Sequence, residues 1–248
     1  MRIFCGTSAI TTVKRLGDCG QPMKLTPKTW SWDHVQPNGD WLDACADVPT
    51  VWLAELPGDA GVRSHLALLL SAEEKARLER LRLVEDQQRF VTGRGLLRLL
   101  VGACLRLPPE HVALDSTPFG KPRLVPPAGA PPLNFSVSHS GKQLLLAFHP
   151  VHEVGVDVEE VRPLTDSTAI ARQTFPGRDL ETLMLLDANA RLDAFFRIWT
   201  RHEAGIKALG RGFIDQSDMA LNDQVVCCDL ELPAGYQGAL AWLPAAKT

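Results

Sequence analysis

FRIWTRHEAGIKALGRG, running from Phe196 to Gly212, is the stretch whose reading decides the rest. At helical spacing, Phe196, Trp199, Ile206 and Leu209 form one apolar stripe. Glu203 falls inside that stripe. A carboxylate on such a face is costly to bury unless a cation meets it. Lys207 stands one turn further on, on the same side. Gly205 and Ala208 are small, so another element can approach the helix closely there. An isolated E-x-x-x-K is most often a solvated surface pair worth about 0.3 kcal/mol. The apolar neighbours of Glu203 argue against that reading.

A second acidic element lies upstream, VGVDVEE at 154–160. In a strand, Val154, Val156 and Val158 face one way, and Gly155, Asp157 and Glu159 face the other. Carboxylates two residues apart on one face stand about 7 Å apart and repel each other if buried without a cation. Gly155 leaves room for a ligand beside them. D-x-E alone reads as the solvated face of an edge strand. With Glu203 as a third oxygen donor, the set suits a hard cation, Mg²⁺ before Zn²⁺. Two further elements supply donors. In FGKPRL, Phe119 to Leu124, Gly120 and Pro122 hold Lys121 on a rigid turn. In SVSHSG, Ser136 to Gly141, Ser138, His139 and Ser140 cluster at a strand end. No G-x-S-x-G elbow accompanies them, so a phosphate or ribose contact fits better than nucleophilic hydrolysis.

Charge is distributed unevenly. The 248 residues carry a net charge of −3, which makes no global case for nucleic-acid binding. Residues 75–106, however, hold eight basic and three acidic side chains, so that segment is +5 and the remainder −8. A basic helix on an acidic protein points to a small ligand bearing phosphates. The six cysteines form no C-x-x-C pair and no disulfide framework, which fits a reducing, cytoplasmic setting. No apolar run approaches the ~20 residues of a membrane span, and no signal-peptide core opens the chain.

Along the chain, residues 1–48 show no sustained period and read as an extension with little regular structure, although Trp30, Trp32 and Trp41 lie there and Met23 offers an alternative start. Val51–Leu56 alternates like a strand. Ser71 with Glu74 forms a capping box, and helices follow over 71–83 and 86–106, stopped by Pro108 and Pro109. Asn134–Ser140 and Gln143–His149 form a hairpin about Gly141 and Lys142. Val154–Val161 is a strand, 164–208 mostly helical, and 219–243 strands again. Two successive α+β sets result, 49–150 and 151–248.

The ordered set FGKP, NFSVSHSG, VGVDVEE and WTRHEAGIKALGRG resembles the surfactin-synthetase-activating (Sfp-type) 4′-phosphopantetheinyl transferases over roughly 51–243. The resemblance implies an α+β fold of two similar α/β halves related by a pseudo-twofold, monomeric, with coenzyme A bound between them. It implies transfer of 4′-phosphopantetheine from coenzyme A to a serine of an apo acyl or peptidyl carrier protein, with 3′,5′-ADP released. On the family pattern, Asp157, Glu159 and Glu203 match the acidic residues around Mg²⁺. Lys121, Pro122, Ser138, His139 and Lys207 match positions at the coenzyme A phosphates. Arg77, and less closely Arg89, match a basic position near the adenosine 3′-phosphate. Glu203, or a water it orients, is the expected general base, with Lys207 as electrostatic support. The family usually has Lys directly before the helix Glu, where this chain has His202, so phosphate affinity or its pH dependence is expected to differ. The alternatives are a non-catalytic coenzyme A-binding homologue, another Mg²⁺-dependent phosphotransferase (disfavoured by the lack of a P-loop), or a structural partner of a synthase docking through 71–106.

Overall fold

In the computed structural model, residues 24–33, 42, 48–175, 177–210 and 225–244 are described. Trp41, 219–224 and the end of the decisive stretch, Arg211 and Gly212, lie outside them. Two four-stranded sheets carry the fold. The first has the order β2-β3-β7-β6, built from Lys28–Thr29, Thr50–Glu55, Gln143–His149 and Asn134–Ser140. The second has the order β1-β9-β10-β8, built from Lys24–Leu25, Val226–Leu230, Tyr236–Trp242 and Val154–Glu160. A short β4–β5 pair, Leu114–Ser116 with Pro122–Leu124, stands apart.

The two halves repeat one plan. Each runs strand, three helices and then a two-stranded hairpin. The first half carries α1 Ala60–Leu68, α2 Ala72–Glu79 and α3 Val84–Leu105 between β3 and β6. The second carries α4 Ser167–Thr174, α5 Gly177–Met184 and α6 Ala188–Leu209 between β8 and β9. In both sheets the last strand of the half lies between the other two and is antiparallel to both. In both, a 22-residue helix follows two short ones. The expected α+β class of two similar halves is thus observed.

The helix α1 went unmarked in the sequence reading, although Asp59 caps its first turn through Gly61 N. Its Leu66 packs against Gly95 of α3, where an added Cβ would come within 2.7 Å of Leu66. The Ser71–Glu74 capping box forms as expected. Glu74 does more, accepting from the buried Arg98, which also donates to Val112 O at 2.7 Å. The segment expected to lack regular structure is only partly so. Lys24–Leu25 pairs parallel with β9, Lys28–Thr29 pairs parallel with β3, and Trp30 is buried between Trp32 and Trp52. Strands two residues long show no period, which hid them.

Cys227 and Cys228 face opposite sides of β9, as alternation requires. Burial pushes both thiols up to about 12, so neither is a reactive thiolate at neutral pH. Among the described residues, no helix is long and apolar enough to cross a membrane.

A cleft between an edge strand and a long helix

β8 is the edge strand of its sheet, and its outward main-chain groups are met by side chains. Ser136, Ser138 and Ser140 of β6 accept the N–H groups of Val156, Val158 and Glu160. Lys121 and Lys207 donate to the carbonyls of Val154 and Val156. Val154, Val156 and Val158 enter the core shared with Leu145 and Leu240, and the opposite face of β8 meets α6, as the alternation predicted.

Gly155 needs correction. It leaves room for α6, not for a ligand. An added Cβ would lie 1.9 Å from Ala204 O and 2.4 Å from Ala208 N. Ala204 and Ala208 are buried against Ala239 and Ala241 of β10. This close seat carries Glu203 and Lys207, one residue before each alanine, along the wall beside β8. The stripe of α6 splits accordingly. Phe196, with Trp199 packed beside it, joins Phe175 and Leu183, whereas Leu209 packs with Ala204 and Ala208 and Ile206 lines an adjoining cavity; between them Arg201 grips Asp229 of β9 in a two-pronged ion pair at 2.6 and 2.7 Å.

A cleft of about 410 Å³ opens at this joint. β8 and α6 line it with Asp157, Glu159, Glu203 and Lys207, and β6 adds Ser138. From the first half, α2 and α3 line it with Arg77, Arg89 and Arg94. His139, Gly120 and Pro122 also border it. Of the ten residues singled out from the sequence, nine line this space. Lys121 does not. Its ammonium donates to Glu153, Val154 O and Lys207 O, each at 3.0 Å, so all three of its N–H groups are engaged in tying β8 to the end of α6. Gly120, at φ +82, makes the turn that delivers it.

Asp157 is the centre of the acidic set. Its Oδ1 accepts from Lys207 at 2.7 Å and from Ser138 at 2.8 Å. Its Oδ2 is buried and, among the described residues, has no hydrogen-bond partner. Glu159 accepts from Ser140 at 2.7 Å. Burial pushes the Glu159 carboxyl above the ordinary glutamate range, with Asp157 adding to the rise and Ser140 and Lys207 opposing it. Burial likewise raises Glu203; Lys207 opposes this, while Asp157 and Glu159 reinforce it. The Lys207 ammonium bonds Asp157 and acts on Glu159 and Glu203 through its field, and among the described residues one Asp157 oxygen is left without a partner. Among the described residues, no group of three or more His, Cys, Asp or Glu side chains forms a ready-made metal cage. His139 is held below its usual range, first by desolvation and then by Arg89 and Lys207. Its imidazole at neutral pH is a neutral donor or acceptor at the lip.

Phe90 of α3 lies under both Arg77 and Arg94, whose guanidinium carbons sit 5.4 and 5.7 Å from the ring centre. Burial depresses Arg94, and Arg77 and Arg98 press it the same way against Glu74. Sequence reasoning did not mark Arg94 or Phe90 for the site. The signal was their i,i+4 spacing on a helix already known to be basic. Arg89 is partly engaged, with Asp86 at 2.7 Å. His202, expected to alter phosphate contacts, is turned away from the cleft. It is buried, stacked on Phe175, with Nε2 3.0 Å from Asp179.

The comparisons with known proteins agree with this architecture. The family described as 4′-phosphopantetheinyl transferase, N-terminal, matches residues 60–151, and the 4′-phosphopantetheinyl transferase superfamily matches 153–233. The 4′-phosphopantetheinyl transferase HetI of Nostoc sp. is 33% identical over 214 residues, 86% of each chain. The 4′-phosphopantetheinyl transferase of Bacillus subtilis is 28% identical over 184 residues, 73% of this chain and 79% of its own. The human L-aminoadipate-semialdehyde dehydrogenase-phosphopantetheinyl transferase is 31% identical over 182 residues, 70% of this chain and 54% of its own. The chain belongs to the 4′-phosphopantetheinyl transferase superfamily. Its function is the transfer of 4′-phosphopantetheine from coenzyme A to a carrier protein, and the non-catalytic alternative is not favoured.

Proposed function

We propose that this chain is an Sfp-type, Mg²⁺-dependent transferase, acting as a cytoplasmic monomer, in which Asp157, Glu159 and Glu203 hold the metal. The reading rests on the buried Oδ2 of Asp157, which has no hydrogen-bond partner among the described residues, beside two carboxyls that burial has made reluctant to ionise. A hard cation satisfies all three, and oxygen donors are what Mg²⁺ takes. When bound, Mg²⁺ neutralises charge on the coenzyme A pyrophosphate.

The chain's own groups do the rest. Arg77, Arg89 and Arg94 bind the phosphate farthest from the reaction, where the cleft is cationic. Lys207 holds Asp157 in place and stabilises charge on the pyrophosphate as the bond to the β-phosphorus breaks. Ser138 and His139 position the substrate, and Pro122 with Lys121 keeps the lip rigid. Glu203 takes the proton from the carrier serine, directly or through a water. Its raised proton affinity suits a base, and its place in both the main cleft and the adjoining 290 Å³ cavity leaves it reachable from two sides.

Rates of transfer to an apo carrier protein, measured against Mg²⁺ concentration, test this. Glu203→Gln is expected to lower kcat by roughly 10²- to 10⁴-fold, and omission of divalent metal to abolish turnover. Near-normal turnover of Glu203→Gln, or activity indifferent to EDTA, would contradict the assignment.

A further inference from the structure

Three serines, Ser136, Ser138 and Ser140, stand on one face of β6 and reach the unpaired edge of β8. Each accepts one main-chain N–H, at 3.2 Å from Val156, 3.4 Å from Val158 and 3.1 Å from Glu160. A serine hydroxyl has one proton to give. Ser138 gives its proton to Asp157 Oδ1 at 2.8 Å, and Ser140 gives its proton to Glu159 Oε2 at 2.7 Å. The row thus joins the two halves where, among the described residues, no backbone ladder does, and the same atoms aim two carboxylates.

The two carboxylates differ in how much else holds them. Asp157 also has Lys207. Among the described residues, Ser140 makes the one hydrogen bond to Glu159. Ser140 is not among the residues that line the cleft. Its hydroxyl is fixed at both ends, by the Glu160 N–H it accepts and by the carboxylate it serves. A long, rotatable glutamate side chain is held in one direction by a group that belongs to the other half.

We propose that Ser140 is a positioning residue that presents Glu159 to the metal, so that metal affinity depends on the alignment of the two halves. The inference rests on the magnesium reading above. Outer partners of metal ligands typically account for about 10- to 100-fold in affinity. In the full-length chain, Mn²⁺ serves as the probe, with free ion read by electron paramagnetic resonance and folding by circular dichroism. Ser140→Ala is expected to weaken Mn²⁺ binding about tenfold while remaining folded. Ser140→Thr, which keeps the hydroxyl, is expected to restore it. Ser140→Ala combined with Glu159→Gln is expected to bind no more weakly than Glu159→Gln alone, because the serine acts through that carboxylate. Asp157→Asn separates the two readings. If Asp157→Asn weakens Mn²⁺ binding and Ser140→Ala does not, or if the Ser140 and Glu159 effects add, the positioning role is overturned and the metal site stands. If Asp157→Asn also binds Mn²⁺ normally, the metal reading falls with it. Should the alanine variant fail to fold, Ser140→Cys, a weak donor of similar volume, is judged by the same criteria.

Discussion

His202 is the residue at which the sequence pattern and the structure part. The pattern compares it with a lysine that faces phosphate. The structure stacks it on Phe175, pairs Nε2 with Asp179 and keeps it off the cleft wall. Its work is to tie α6 to α5 one residue before Glu203. His202→Ala is therefore expected to cost about 2 kcal/mol in a denaturant-unfolding measurement, from lost packing and a lost hydrogen bond. The KM for coenzyme A is expected to stay within about threefold, below the tenfold step that 1.4 kcal/mol of lost phosphate contact would bring. A large rise in KM with unchanged stability would return His202 to the phosphate site. The acidic set was legible because carboxylates on apolar faces are costly and so conspicuous. Arg94 was not, because an arginine among eight basic side chains carries no mark of its own until Phe90 is seen beneath it.

At the scale of elements, the contact between β8 and α6 sets the geometry of the site. Gly155 lies with its Cα against the backbone of α6 at Ala204 and Ala208. No flexible side chain can yield there, because the nearest atoms are main chain. Gly155→Ala is expected to destabilise the fold by about 3 kcal/mol or more, and any folded fraction should lose turnover, since β8 and α6 carry the acidic residues between them. Equilibrium unfolding beside a transfer assay checks this, and a variant of parental stability would contradict the packing. The longer strands were legible from period, α2 from its capping box and α6 from its apolar stripe. The helix α1 and the purpose of Gly155 were not, since a small residue beside carboxylates reads equally well as space for a ligand or for a helix.

For the whole molecule, the two-half plan was visible as two successive α+β sets, but the chain before β3 was not. β1 joins one sheet and β2 the other, three residues apart, so this short segment spans both halves. Trp30 anchors it in the first half's core. Trp30→Ala is expected to cost about 3 kcal/mol by equilibrium unfolding, and a change within about 0.5 kcal/mol, the range of an ordinary surface substitution, would mean that the segment is only laid upon the surface. Intact-mass spectrometry of an apo carrier protein incubated with this protein, coenzyme A and Mg²⁺ tests whether one acidic cleft between the halves performs the transfer with a bound metal. Parallel samples would contain EDTA or Asp157→Asn. A gain of one phosphopantetheine is expected in the first sample and none in the other two. A gain that persists with EDTA or without the Asp157 carboxylate would contradict that role for the cleft.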